Sequence, residues 1–269
     1  MALASALPYA GTAGAATVLL AKTDTIRIMP LGDSITAGVA AYGAAVADGG
    51  YRGTLAALLA QRGYHAVFVG SRSDYSAEIS ERAHEGWPGY VLRSYPSDPG
   101  PGQLYGALAR TALRADTPDL VLLMAGTNDL LRLQRGDAGY TLANIVNSMD
   151  LILDEIFTER PDVHVILAPV VASPKVDPCT LARFDGGTLC GDPGPANLKT
   201  LVAAYAARGF RITYAAAMAT AVPRDPQHFP DGIHPSGVGY AAIAGVWLDA
   251  IETITAPAVE QPVAHTEPR

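Results

Sequence analysis

The sequence predicts an α/β fold, a five-stranded parallel sheet with helices covering both faces. Short apolar runs of strand length alternate along the chain with stretches whose apolar residues recur at three and four residue intervals. Strand, helix, strand in that order requires parallel crossovers, and a sheet built from them is covered on both sides. The run Leu120-Val121-Leu122-Leu123-Met124 is apolar at every position, as a strand buried on both faces must be.

The first strand is Ile26-Arg27-Ile28-Met29-Pro30. Leu31-Gly32-Asp33-Ser34 follows directly and reads as a tight turn, which leaves the Ser34 hydroxyl at the strand's carboxyl end. Residues 40–50 are small and glycine-rich, so they form a loop near that end. The next segment, 51–62, carries Leu55, Leu58 and Leu59 on one helical face and stops at Gly63, a suitable C-terminal cap. The second strand is 66–70. Residues 71–102 are polar and rich in turn formers, a length of connection that usually marks a functional loop or short unrecognised elements.

A helix is expected over 103–115, with Leu104 and Leu108 one turn apart, before the third strand at 120–124. The clearest helix is 141–159, where Leu142, Ile145, Val146, Met149, Ile152, Leu153, Ile156 and Phe157 form one stripe and Pro161 marks the end. Residues 163–167 make the fourth strand, with His164 an ordinary strand residue. Residues 173–195 read as an inserted loop, and Asp177, Asp185 and Asp192 within it as turn residues, because their spacing fits no calcium loop. A helix over 196–208 closes at Gly209, and 210–214 is the fifth strand. Pro235 suits the start of the last helix, which buries Tyr240, Ile243, Val246, Trp247 and Ile251.

At 269 residues, 49% of them hydrophobic, the chain can bury a large core, and no composition break divides it. We expect one domain over 26–255, between a leader or flexible extension at 1–25 and a disordered, proline-bearing tail at 256–269. A net charge of -7 gives no footprint for nucleic acid or an anionic membrane. No apolar run reaches the roughly 20 residues of a membrane span. The two cysteines, Cys179 and Cys190, lie close together in a Pro/Gly/Asp-rich stretch with no metal-ligand pattern, which suits one disulfide in an oxidising compartment. Residues 1–21 carry no charge, and Ala13-Gly14-Ala15-Ala16 is like the small-residue end of an export signal, but the basic n-region is missing. An export leader and a plain extension both fit. Leader and cysteine pair together point to secretion.

Three motifs carry chemistry. A serine hydroxyl is a poor nucleophile near neutral pH, so it needs a base within hydrogen-bond reach, and the base needs a partner that fixes its tautomer. Asp231-Gly232-Ile233-His234 supplies both: at this spacing His234 can take the proton of Ser34 while Asp231 holds the other ring nitrogen. Gly126-Thr127-Asn128-Asp129 follows the third strand, so it sits at the same sheet edge and offers the Asn128 amide as a spare donor. Together they are the parts of acyl transfer. The chemistry needs no cofactor and no metal.

Gly32-Asp33-Ser34-Ile35, a glycine in the second loop, Gly126-Thr127-Asn128-Asp129 and Asp231-x-x-His234 resemble, in the same chain order, the GDSL or SGNH hydrolases. Ile35 stands where the family name has leucine. The resemblance covers residues 26 to 252 and implies a flavodoxin-like three-layer α/β/α sandwich. It implies Ser34 as nucleophile, His234 as base and then acid, Asp231 as its orienter, and an oxyanion hole of the Ser34 and Gly89 backbone amides with the Asn128 side chain. Gly89 is preferred to Gly86 because it precedes Tyr90 and Val91 as the family's glycine precedes a helical turn. Residues 28–36, Tyr51-Arg52, Val69-Gly70-Ser71 and His84-Glu85-Gly86 are similar to the branch containing acetylxylan esterases. That implies short acyl groups, acetyl on a carbohydrate or small-molecule ester, with His84 and Glu85 either contacting substrate or anchoring their loop. The alternatives are an acyltransferase, a lipid or lysophospholipid esterase using the same triad, and a non-catalytic carbohydrate-binding protein.

Overall fold

The computed structural model describes residues 20–43, 48–75, 79–98, 100 and 102–256. In chain order the elements are β1 (Leu20–Ala21), β2 (Thr25–Gly32), α1 (Ser34–Ala37), α2 (Tyr51–Gln61), β3 (His65–Phe68), β4 (Glu85–Gly86), α3 (Ala107–Asp116), β5 (Leu120–Met124), α4 (Thr127–Arg135), α5 (Leu142–Glu159), β6 (His164–Leu167), α6 (Pro178–Asp185), α7 (Leu198–Ala207), β7 (Ile212–Tyr214), α8 (Gly237–Thr253) and β8 (Thr255–Ala256). The five expected strands pair in the order β3-β2-β5-β6-β7, every pair parallel. The two-residue β4 extends the sheet by pairing with the end of β2.

Alternation along the strands divides the core into two layers. Met29, Leu31, Val121, Leu123, Val165 and Leu167 face one side and pack with Ala112 and Leu113 of α3, with α5, and with Leu198 and Tyr205 of α7. Ile26, Ile28, Leu120, Leu122, Met124 and Ile166 face the other and pack with α2 and α8. This is the three-layer sandwich. Every residue of β5 is buried, which is why its sequence shows no polar alternation. Truncating such a position to alanine costs about 2–5 kcal/mol.

The chain order places the site. After β2 the chain moves to β3 on one side, then crosses to β5 on the other, so strand order reverses between β2 and β5. Ligand crevices of open α/β sheets lie at the carboxyl ends of such strands. There the packing of β2 against β5 requires Gly32: a Cβ on it would fall 2.1 Å from the Met124 carbonyl oxygen.

Four expectations change. The helix expected at 103 starts at Ala107, with Leu104 buried ahead of it. Residues 173–195 are not all loop, since they contain α6, which Asp177 caps by accepting from the Thr180 amide at 2.7 Å and which ends in a buried Asp185. The last helix begins at Gly237 with Ser236 as its cap, one residue beyond Pro235. Leu20–Ala21, placed in the leader, pair with Thr255–Ala256, so Ala256 belongs to a strand and not to the tail. Residues 1–19 of the leader and 257–269 of the tail lie outside the described residues, while Thr25, also placed in the leader, opens β2. Among the described residues no helix is long and apolar enough to cross a membrane. Cys179 and Cys190 form a disulfide with their Cα atoms 5.3 Å apart, tying α6 to the segment after it.

Candidate active site

Ser34 is the first residue of α1, two residues beyond β2. Asp33 caps that short helix, its Oδ1 accepting from the Ile35 amide at 3.0 Å, and Gly38 closes it in the left-handed conformation at φ 86°. The turn holds the serine at the sheet edge by these local hydrogen bonds and by the buried Arg52 guanidinium, which donates to the Thr36 (3.2 Å) and Ala37 (2.9 Å) carbonyls. The Ser34 hydroxyl lies 3.0 Å from His234 Nε2, across 200 residues of sequence.

His234 Nδ1 donates to Asp231 Oδ2 at 2.8 Å. That contact fixes the tautomer, leaving Nε2 free to accept from Ser34. The Asp231 carboxylate is itself well held: Oδ1 accepts from the amides of Ile233 (2.9 Å) and His234 (2.8 Å), and Oδ2 also accepts from the amide of Tyr42 (3.1 Å). Partial burial pushes this carboxyl up, but the His234 side chain and these three amides outweigh it and hold the group well below the usual carboxylate range. The side chains of Asp231 and His234 keep 14% and 19% of their surface, so the pair is shielded from bulk water yet reachable.

Asn128 lies in the first turn of α4, directly beyond β5, and its side-chain amide donates to the Tyr90 carbonyl at 2.8 Å. Tyr90 follows Gly89, which is exposed at φ 78° with nothing within 4 Å of the place a Cβ would occupy. Among the described residues the Gly89 amide has no hydrogen-bond partner, nor has the amide of Ser34. The Gly86 amide, by contrast, is occupied by His84 Nδ1 at 3.0 Å, and a Cβ there would meet the Ala37 backbone nitrogen at 2.3 Å.

His84 and Glu85 are both fully buried, and they anchor the loop. His84 receives the Gly86 amide and bonds the Asp74 carbonyl through Nε2 at 2.9 Å; burial lowers it to about 4, so it stays neutral. Glu85 accepts from the Ser71 amide and from Trp87 Nε1. Asp129 is also structural, its carboxylate receiving the Leu92 amide at 3.0 Å while burial pushes its pKa well up.

Sequence spacing alone hid a competitor. Asp225-Pro226-Gln227-His228 repeats the Asp-x-x-His pattern six residues upstream, and His228 Nδ1 sits 2.8 Å from Asp225 Oδ1 in the same local turn. Only the tertiary fold separates the two pairs, since it is His234 that meets Ser34. Among the described residues no group of three or more His, Cys, Asp or Glu side chains is arranged to hold a metal ion.

A serine, a histidine and an aspartate joined in one hydrogen-bond chain at the reversal point of a parallel sheet define a serine hydrolase arrangement. Residues 31–242 match the model of the GDSL-like lipase/acylhydrolase family, and the chain belongs to that family. A multidomain esterase of Ruminococcus flavefaciens is 29% identical over 253 residues, 87% of this chain; the chain spans 29% of that relative's length. The family 3 carbohydrate esterase of Clostridium thermocellum is similar in structure, with 26% identity and a TM-score of 0.63 over 87% of this chain and 100% of that one. A family 3 carbohydrate esterase of Talaromyces cellulolyticus shares the fold at 21% identity and a TM-score of 0.62, covering 86% and 100% of the two chains.

Proposed function

We propose that the chain hydrolyses short-chain acyl esters, acetyl esters of carbohydrate foremost, through an acyl-enzyme on Ser34. The observation that carries this reading is the chain Ser34 Oγ to His234 Nε2 (3.0 Å) and His234 Nδ1 to Asp231 Oδ2 (2.8 Å). The likeness to two family 3 carbohydrate esterases favours a carbohydrate alcohol, and a secreted location fits such a substrate.

Ser34 attacks the ester carbonyl as its proton passes to His234, and Asp231, held ionised, stabilises the imidazolium. The negative charge that develops on the carbonyl oxygen is met by the amides of Ser34 and Gly89 and by the Asn128 side chain, whose second N–H remains after the contact with Tyr90. Gly89 suits this role better than Gly86, because its amide is unspent and nothing crowds it. His234 returns the proton to the leaving alcohol, and water repeats the sequence on the acyl-enzyme. No step requires a cofactor.

The test is a p-nitrophenyl ester series from acetate to decanoate, with acetylated xylan alongside and Ser34→Ala as control. Highest turnover on acetate with acetate release from xylan is expected; preference for long chains would replace the carbohydrate reading by a lipid esterase.

A further inference from the structure

We propose that Gln134 and Arg224 are positioning residues that clamp the main chain of residues 173–177 into a strut between the Asn128 helix and the Asp231–His234 loop. The inference rests on the catalytic reading above.

From α4, the Gln134 side-chain amide bonds the strut twice, Nε2 donating to the Lys175 carbonyl (2.9 Å) and Oε1 accepting from the Asp177 amide (2.7 Å). From the other side, Arg224 Nη2 reaches the carbonyls of Val176 (2.7 Å), Ser173 (3.2 Å) and Pro174 (3.4 Å). The strut then touches the catalytic turn directly, since the Lys175 amide donates to the Gly232 carbonyl at 3.0 Å, and Gly232 lies between Asp231 and His234. Gly232 sits at φ 79°, and a Cβ on it would meet the Lys175 stem at 3.1 Å, so the two chains lie in close contact there. Ser173 and Val176 are fully buried, which seats the strut on the core.

The consequence is geometric. Asn128 rides on the same helix as Gln134, whereas His234 and Asp231 ride on the turn that holds Gly232. The strut thus sets the separation between the oxyanion donor and the base. A misplacement of about 1 Å far from the reacting atoms can cost about 100-fold in rate. Gln134 and Arg224 are themselves exposed, so apolar replacements leave the core intact.

The experiment measures kcat, KM and melting temperature on p-nitrophenyl acetate for Arg224→Leu, Arg224→Lys, Gln134→Leu and the Arg224→Leu/Gln134→Leu double variant, with Ser34→Ala alongside. Each leucine variant should lose about tenfold in kcat, with KM within about twofold. Arg224→Lys should recover part of the loss, and the double variant should lose less than the product of the singles, because both act through one strut. A kcat within about twofold of wild type in both leucine variants overturns the proposal. So does a strictly multiplicative double loss, or a kcat loss that only follows a falling folded fraction. Full activity in Ser34→Ala would instead overturn the catalytic reading, and the clamp with it. An inactive Ser34→Ala beside unaffected clamp variants removes the clamp alone.

Discussion

The Asn128 side chain donates to the Tyr90 carbonyl at 2.8 Å, which joins the first turn of α4 to the loop that presents Gly89. One amide group thereby ties together two of the three proposed oxyanion donors, Asn128 and Gly89. Replacing it should remove one donor and loosen a second, so Asn128→Ala should lower kcat on p-nitrophenyl acetate by about 100–1000-fold, with a much smaller change in KM. A loss under about tenfold would make Asn128 only a tether.

Asp231 is held ionised by four hydrogen bonds, so it does not titrate where an imidazole does. Asp231 should therefore contribute no protonation step to the kcat/KM profile near neutral pH. Asp231→Asn cannot fix the same tautomer and should lower kcat by about 10,000-fold, as in other triads. A protonation step of the Asp231 carboxylate in the wild-type profile near neutral pH would contradict this.

At Gly32, paired with Met124, β2 and β5 leave no room for a side chain. An alanine there would set its Cβ 2.1 Å from the Met124 carbonyl oxygen and 2.4 Å from Thr36 Oγ1. Backbone must move to admit it, and Ser34 lies two residues on. Gly32→Ala should lower the melting temperature and abolish measurable turnover together, whereas Gly63→Ala, where nothing lies within 4 Å, should suffer only its left-handed backbone and keep activity.

His164 is buried in β6 with Nε2 against Thr213 Oγ1 at 2.8 Å. Burial, and then the nearby Arg211, lower it from its usual 6.5 to about 4. Its folded value lies below its unfolded one, so the stability tied to the neutral ring is full above about pH 6.5 and is lost as pH falls through 4. Melting temperature should therefore drop more steeply between pH 6.5 and 4 in the wild type than in His164→Asn. Equal slopes in thermal melts would contradict this.

The sheet and its two largest helices were legible because burial on both faces, or on one stripe, leaves an unmistakable spacing. The strand over Leu120–Met124 has the bounds read from its apolar run, and α5 starts one residue after the expected 141, at its Thr141 cap. Helix α4 was hidden because only Leu130 of its apolar residues is buried, and its Gly126 start reads as a turn. Helix α6 lay within a Pro/Gly-rich stretch, although Asp177-Pro178, a capping side chain followed by proline at the first helical position, was the signal for it. At the site, the residues of the Ser34, Asn128 and Asp231–His234 motifs stand out by type and spacing. The choice between His234 and His228 does not, because it depends on a contact between Ser34 at the start of α1 and a loop 200 residues away. Nor could the sequence assign Gln134 and Arg224, whose partners are main-chain atoms.

The most direct test of the catalytic account is intact-mass analysis of the enzyme quenched in acid during turnover of p-nitrophenyl acetate. One added acetyl group on the peptide containing Ser34, absent in Ser34→Ala together with turnover, is the predicted result. Wild-type turnover in Ser34→Ala, or acetyl trapped on another residue, would contradict it.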